Sequence, residues 1–446
     1  MVRDMTVGKP IKQIFSFFFP VLLGELLQQV YIMVDTVIVG RFVGVQAFAG
    51  IVATGALNSL IIGFLLGLCH GFAIPIAQTF GANDQRGMRK YFANAIYLSA
   101  LISVGFAFVT VMLARDILQA LGTPGVILDS SVAYITIIFG GMPFAMMYNL
   151  SSSVLRSVGD TRSPLIFLVV SCIVNLLFDL LFVVVWKLGA SGAALATVIA
   201  QMLSGIMCIV RIFMKYKILR IHADEWLPAA ACLRRLLSIG LPMGLESSLT
   251  AVGSMIMQRA VNGMGMMAVA AIGASDKVMF VLAAPFGAIG ATLATYCGQN
   301  FGAKRIDRIR EGVRVSLIVM LIYCVAVYVV QRSAGMQIVA LLVGSGEADV
   351  VSAAARYLDI ACLFFPGFLC IMVFRNALQG GGYSRVAMLA GVFETVARVF
   401  VALWLIPAFG FAGACASHPM AWGLAVAFLI PAYLVILRKA ELRMHV

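Results

Sequence analysis

Charge is scarce in this sequence. Asp, Glu, Lys and Arg make up only 11% of its 446 residues, less than half the share carried by a soluble globular chain. An ordinary water-facing surface is therefore excluded. Long polar stretches are missing too, so there is no room for a soluble catalytic or nucleic-acid-binding domain beside the apolar part. The nine Cys contain no C-x-x-C pair, and the four His stand at no metal-ligand spacing from them. This excludes a disulfide scaffold and a zinc site, and leaves the cysteines as small apolar filler. No nucleophile with its base and no repeated carbonyl-filter motif occurs, which argues against an intramembrane enzyme or a channel. No small-residue cleavage site closely follows the start "MVRDMTVGKPIKQ", so the first apolar run is expected to be retained.

What is present is apolar length. Residues of the hydrophobic classes make up 62% of the chain, and twelve stretches long enough to cross a bilayer recur between Ile14 and Leu437, among them 132–152 and 357–377. The expected fold is an all-α polytopic membrane protein with twelve transmembrane helices. The net charge of +13 need not imply a nucleic-acid partner. With an inside N-terminus, most of the 32 Lys and Arg fall on one face, as the positive-inside rule requires, and both termini are then cytoplasmic. Lys215, Lys217, Arg220, Arg234 and Arg235 would lie against anionic headgroups there. Three cations, Arg259, Lys277 and Arg398, fall inside spans.

The sequence repeats at half its length. "AQTFGANDQRG" (77–87) answers "GQNFGAKRIDR" (298–308), "VLRSVGDTRS" (154–163) answers "ALQGGGYSRV" (377–386), "GASGAALAT" (189–197) answers "GFAGACASH" (410–418), and Pro20 answers Pro242. Six spans per half is an even number, so the halves enter the membrane from the same side. Two six-helix lobes, 1–220 and 221–446, related by a pseudo-two-fold axis along the membrane normal, are expected. Parallel repeats of this kind are a transporter architecture. The loop signature of the major facilitator family has its nearest counterpart in "GANDQRGMRK" (81–90), where the spacing is wrong.

Buried polar residues mark the candidate site. In the first span, Gln28, Tyr31 and Asp35 fall within an arc of about 60° at 100° per residue. A charged Asp in a span costs about 2.5–3.5 kcal/mol, so Asp35 should face the interior. The competing reading is a structural acid paired with Arg41. In the fifth span, Ser171, Asn175 and Asp179 stand at i, i+4 and i+8, and Thr197 of the sixth span would add a hydroxyl. Two carboxyls in a low-dielectric pocket resist ionising together, so the pair should take up and release a proton as one coupled unit. Deprotonated, it would attract an organic cation or Na⁺; protonated, it would release it. The same side chains could instead only hydrogen-bond helices together.

"GELLQQVYIMVDTVIVGR", "QTFGANDQ", "LRSVGDTRSP", "NLLFDLLF" and "ASGAALATVIAQ", in this order and spacing, resemble the multidrug and toxic compound extrusion (MATE) family across the whole chain, and its DNA-damage-inducible branch in particular. The resemblance implies a V-shaped pair of lobes, each with a cavity, that export small organic, often cationic compounds by alternating access against inward H⁺ or Na⁺. It implies no enzyme activity and no cofactor. It places the coupling ion, H⁺ or Na⁺, at Asp35, Asn175, Asp179 and Thr197. Gln28, Tyr31, Glu246 and Met257 are candidate substrate contacts, and Met33 and Met255 candidates to approach the cavity. The acids that serve the norfloxacin-efflux branch in the C-terminal lobe have no counterpart here, which puts a Na⁺ site in that lobe in doubt.

Glu394 and Arg398, four apart in the eleventh span, read as an intrahelical ion pair. Arg259 and Asp276 are a further expected pair, with Lys277 a competitor. His70 and His418 read as packed residues, and Pro20 as a hinge. A flippase for lipid-linked oligosaccharide, or an exporter of another metabolite, is the alternative function. The chain is expected to work as a monomer in the cytoplasmic membrane.

Overall fold

The structure, a computed structural model, describes residues 3–343 and 347–444, and no strand occurs among them. The helices are α1 (Pro10–Phe42), α2 (Val45–Gly81), α3 (Gln85–Met112), α4 (Ala114–Ala120), α5 (Gly125–Gly140), α6 (Met142–Ser157), α7 (Arg162–Asp179), α8 (Gly189–Lys215), α9 (Ala230–Asn262), α10 (Met266–Gly302), α11 (Ile306–Val343), α12 (Ala348–Leu363), α13 (Phe365–Gly380), α14 (Ser384–Phe400), α15 (Ile406–Phe409), α16 (Phe411–Cys415) and α17 (Ser417–Met444). Among the described residues ten helices are long and apolar enough to span a membrane, and two bent pairs raise the total to twelve.

Two of the expected spans, 132–152 and 357–377, each fall on a bent pair: α5/α6 is broken by 44° and α12/α13 by 48°. Pro143 and Pro366 stand at the start of α6 and α13. Each lacks the N–H that would tie it back to the preceding helix, so the break follows from the chemistry of the residue. The half-chain repeat is equally legible in the turns. Asn83 and Lys304 close α2 and α10 with φ of 56° and 57°, and Gly44 and Gly265 both stand at 95°.

By packing, the chain divides into one unit of Met1–Asp4 with Leu23–Gly244 and another of Met5–Leu22 with Leu245–Val446. The repeat would cut at 220/221 instead. The difference is that the opening turns of α1 pack with the second unit, where Phe17 and Phe18 join the core around Phe286 and Ile289. The opening turns of α9 pack with the first, where Leu236 joins the core around Leu68, Phe72 and Phe139. Each crossover lies just after a proline inside the helix, Pro20 or Pro242.

In the first unit α2 and the start of α9 meet almost backbone to backbone. A Cβ on Gly71 would lie 2.5 Å from the Gly240 Cα, which no relaxation of a flexible side chain can relieve. Gly71→Ala is therefore expected to lower stability by about 1–3 kcal/mol, as overpacking of a close contact does. Gly105→Ala, which meets nothing within 4 Å, should not. Thermal denaturation of the two purified variants separates these outcomes.

The segment joining the halves is strapped to α3. Glu225 receives two hydrogen bonds from Arg89, at 2.7 and 2.8 Å, Tyr97 donates to the Trp226 carbonyl at 2.9 Å, and Asn94 Oδ1 accepts from the Ala229 N–H at 3.0 Å. The Arg89 hydrogen bonds hold the Glu225 carboxyl down at about 2, well below its ordinary 4.5. A depressed carboxyl stabilises the folded state fully above its unfolded value, and loses that effect as pH falls through its folded value. The stability advantage of wild type over Glu225→Gln should accordingly be complete above pH 4.5 and fade between there and about 2. Melting curves at several pH values would register it.

Candidate functional site

Asp35 lies about two turns before the end of α1. α7 ends at Asp179, and the chain continues as a wider π-turn over Leu180–Val185, an irregularity that concentrates at functional sites. The two carboxyls come within hydrogen-bonding reach of each other. Two carboxyls can hydrogen-bond only if one carries a proton, so the arrangement suits a singly protonated pair. With its amide turned so that the nitrogen faces the acid, Asn175, one turn before Asp179, donates to Asp179 Oδ2 at 2.7 Å and accepts from the Thr197 N–H at 3.1 Å. The Thr197 hydroxyl donates to the Ala193 carbonyl at 3.0 Å, which leaves its oxygen to receive the Tyr31 hydroxyl at 3.5 Å.

Asp35, Asn175, Asp179, Thr197 and Tyr31 thus form one cluster inside the first unit. Asp35 Oδ1 and Asp179 Oδ1 are buried and accept no hydrogen bond from the described residues. An oxygen-rich pocket with two carboxylate atoms still able to accept fits a proton or a small hard cation. Ser171 is buried and donates to the Ala200 carbonyl at 2.9 Å, so it joins helices rather than the acid pair. Gln28 is exposed. Tyr134 of α5, close enough to feel both carboxylates, belongs to the cluster and escapes sequence reasoning, because nothing in its apolar surroundings distinguishes it.

The second unit holds a different network. Glu246 is buried; Gln379 donates to its Oε2 at 2.8 Å, and Arg375 Nε stands 3.0 Å from its Oε1. Arg375 also reaches Glu394 at 3.4 Å, while Arg398 stands 3.8 Å from Glu394 and donates to the Thr250 carbonyl at 3.3 Å. The expected Glu394–Arg398 pair is therefore one arm of a four-charge group that sums to zero. The residues that complete it are signalled by "RNALQ", where Arg375 and Gln379 stand four apart on one face of α13. Glu246, a candidate substrate contact, has both oxygens engaged. Met257 packs beside Val261, Tyr357 and Val401 in a small apolar cluster.

The expected Arg259–Asp276 pair is absent from the ion pairs of the described residues. The reason is height: Arg259 is close to the end of α9 and Asp276 some ten residues into α10, a mismatch of about 10 Å at 1.5 Å per residue. His418 stacks on Trp422, with ring centroids 4.8 Å apart, and meets Tyr357 edge-on. His70 is exposed.

A profile of the MatE family matches residues 20–181 and 242–404, one stretch in each half. The chain belongs to the multidrug and toxic compound extrusion family. MATE proteins are multi-pass membrane transporters, and this one is not an enzyme. Among relatives, the probable multidrug resistance protein YpnP of Bacillus subtilis is 27% identical over 85% of this chain and 84% of its own. The multidrug export protein MepA of Staphylococcus saprophyticus is 23% identical over 93% and 90%. A MATE crystal structure in a bent conformation superposes with a TM-score of 0.91 at 19% identity, covering 99% of this chain and 98% of the other. At that identity the superposition establishes the MATE fold.

Proposed function

We propose that this MATE protein is a secondary active exporter of small organic cations, working by alternating access and coupled to inward H⁺, with Na⁺ as the other candidate ion, through Asp35, Asn175, Asp179 and Thr197. The observation that carries the reading is the acid pair: two carboxyls within hydrogen-bonding reach, each with one buried oxygen that accepts nothing from the described residues. Relatives named for multidrug resistance and multidrug export support the substrate class. Deprotonated, the pair attracts a cation; protonated, it has no charge with which to hold one, and that exclusivity is what antiport needs.

The available energy is bounded. One pH unit is worth about 1.4 kcal/mol per proton and 100 mV about 2.3 kcal/mol per net charge moved. Exchange of one proton for one monovalent cation draws on the pH gradient alone and gives roughly tenfold accumulation per pH unit. Exchange of two protons would draw on the voltage as well.

The test is efflux of ethidium from vesicles under an imposed pH gradient, an imposed Na⁺ gradient, or neither. Efflux that follows the pH gradient and ignores Na⁺ supports proton coupling. Efflux driven only by Na⁺ gives the site to that ion, and flux indifferent to both gradients removes the exporter reading. In this proposal both termini are cytoplasmic and the chain works as a monomer.

A further inference from the structure

α11 starts among Arg305, Arg308, Arg310 and Arg314 and runs to the opposite face of the membrane. At that far end it forms with α12 a cavity of about 290 Å³, lined by Gln331, Arg332, Gln337, Ser352, Arg356 and Asp359. The positive-inside reading leaves few cations on this face, yet two of them line one cavity. Arg332 holds Asp359 at 2.8 Å through one nitrogen, which leaves its other N–H groups unclaimed by that contact. Arg356 has no ion-pair partner among the described residues, so the wall is positive by one charge.

Gln331 gives a second, independent pointer. Its side chain is only 3% exposed, and its buried Nε2 has no hydrogen-bond partner among the described residues. It lies over Gly335, one turn on, where a Cβ would come within 2.2 Å of Nε2. A buried amide without a partner is unfavourable, and an acceptor brought into the cavity would satisfy it. Donors therefore prevail: two guanidinium groups and the carboxamides of Gln331 and Gln337. That set suits a phosphate, whose oxygens accept in forked pairs.

The surroundings decide the source of the phosphate. Just before the cavity on α11, Val325, Val329 and Val330 are exposed, and Met336 is exposed at its edge. An apolar strip in a spanning helix faces hydrocarbon, so the cavity sits where a headgroup meets its acyl chains. We infer that this cavity is a binding site for the phosphodiester of a membrane phospholipid, with the acyl chains lying along the valine strip of α11.

The test is the thermal midpoint of detergent-purified full-length protein with added phosphatidylglycerol, a diacylglycerol of the same chains, or inorganic phosphate. The comparison runs across wild type, Arg356→Gln and Gly335→Ala. The expected result is a rise in midpoint with phosphatidylglycerol alone, at least halved in both variants. The variants leave the basic face of the protein unchanged, so lipid bound there contributes equally to all three proteins. Equal rises in the three proteins, or an equal rise with diacylglycerol, would overturn the proposal. A rise with inorganic phosphate alone, lost in both variants, would overturn the lipid assignment in favour of a free anion.

Discussion

Asp35→Asn and Asp179→Asn are each expected to lower gradient-driven ethidium efflux by at least tenfold while leaving the protein folded. The size follows from the coupling: a pair that exchanges one proton converts each pH unit into about 1.4 kcal/mol. An amide in place of either acid is expected to end that exchange, because an amide neither takes up nor releases a proton in this pH range. Folding should survive, since a neutral amide inside a membrane protein is less costly than a carboxylate of the same shape. Melting curves serve as the control and vesicle efflux as the readout. Tyr31→Phe removes only the hydroxyl that meets Thr197 at 3.5 Å and should act more weakly. Undiminished efflux in both Asp variants would make the acids structural and move the search to Glu246 and Glu394.

Arg375→Met is expected to destabilise the protein by about 3–5 kcal/mol, the usual cost of removing one partner from a buried ion pair. Arg375 is the cation shared by Glu246 at 3.0 Å and Glu394 at 3.4 Å. Without it, Glu394 keeps Arg398 and Glu246 keeps only a neutral Gln379. Adding Glu246→Gln should recover most of the loss, because the group is then neutral again around Glu394 and Arg398. The interaction energy from the double-mutant cycle, read by chemical denaturation of the four proteins, should exceed 1 kcal/mol for residues in direct contact. Additive effects would mean that the four charges do not act as a network.

The parts of the molecule visible in its sequence are those that rest on local periodicity. Apolar runs yield the helices, the half-chain offset yields the paired turns at Asn83 and Lys304, and an i, i+4 step places Asn175 beside Asp179. What escapes is what periodicity does not encode. The π-turns over Leu180–Val185 and Val401–Leu405 follow Asp179 and Arg398 closely, yet apolar sequence carries no mark of one extra residue per turn. Arg375 stands four residues before Gln379 on α13, but its role as the shared cation needs two partners from other helices. Tyr134 joins the acid cluster only through packing of α5 against α8. The 44° and 48° breaks are half visible: Pro143 and Pro366 announce a bend, not its angle.

The crossover of α1 and α9 sets a limit on dissection of the protein. A gene cut at 220/221, where the repeat divides, would give a first fragment without residues 221–244 of its own packing unit and a second without residues 5–22. Neither fragment alone could close its core: the first would leave Leu68 and Phe72 without the helix that covers them, and the second would expose the surface around Phe286. Expressed together in one cell, the fragments would have to trade helices to recover function, so split-gene complementation is the natural assay of whether the exchange forms after synthesis. For the same reason an ancestral half-length chain could complete its core only by lending the opening turns of its first helix to a second copy. Dimerisation would then have preceded gene fusion.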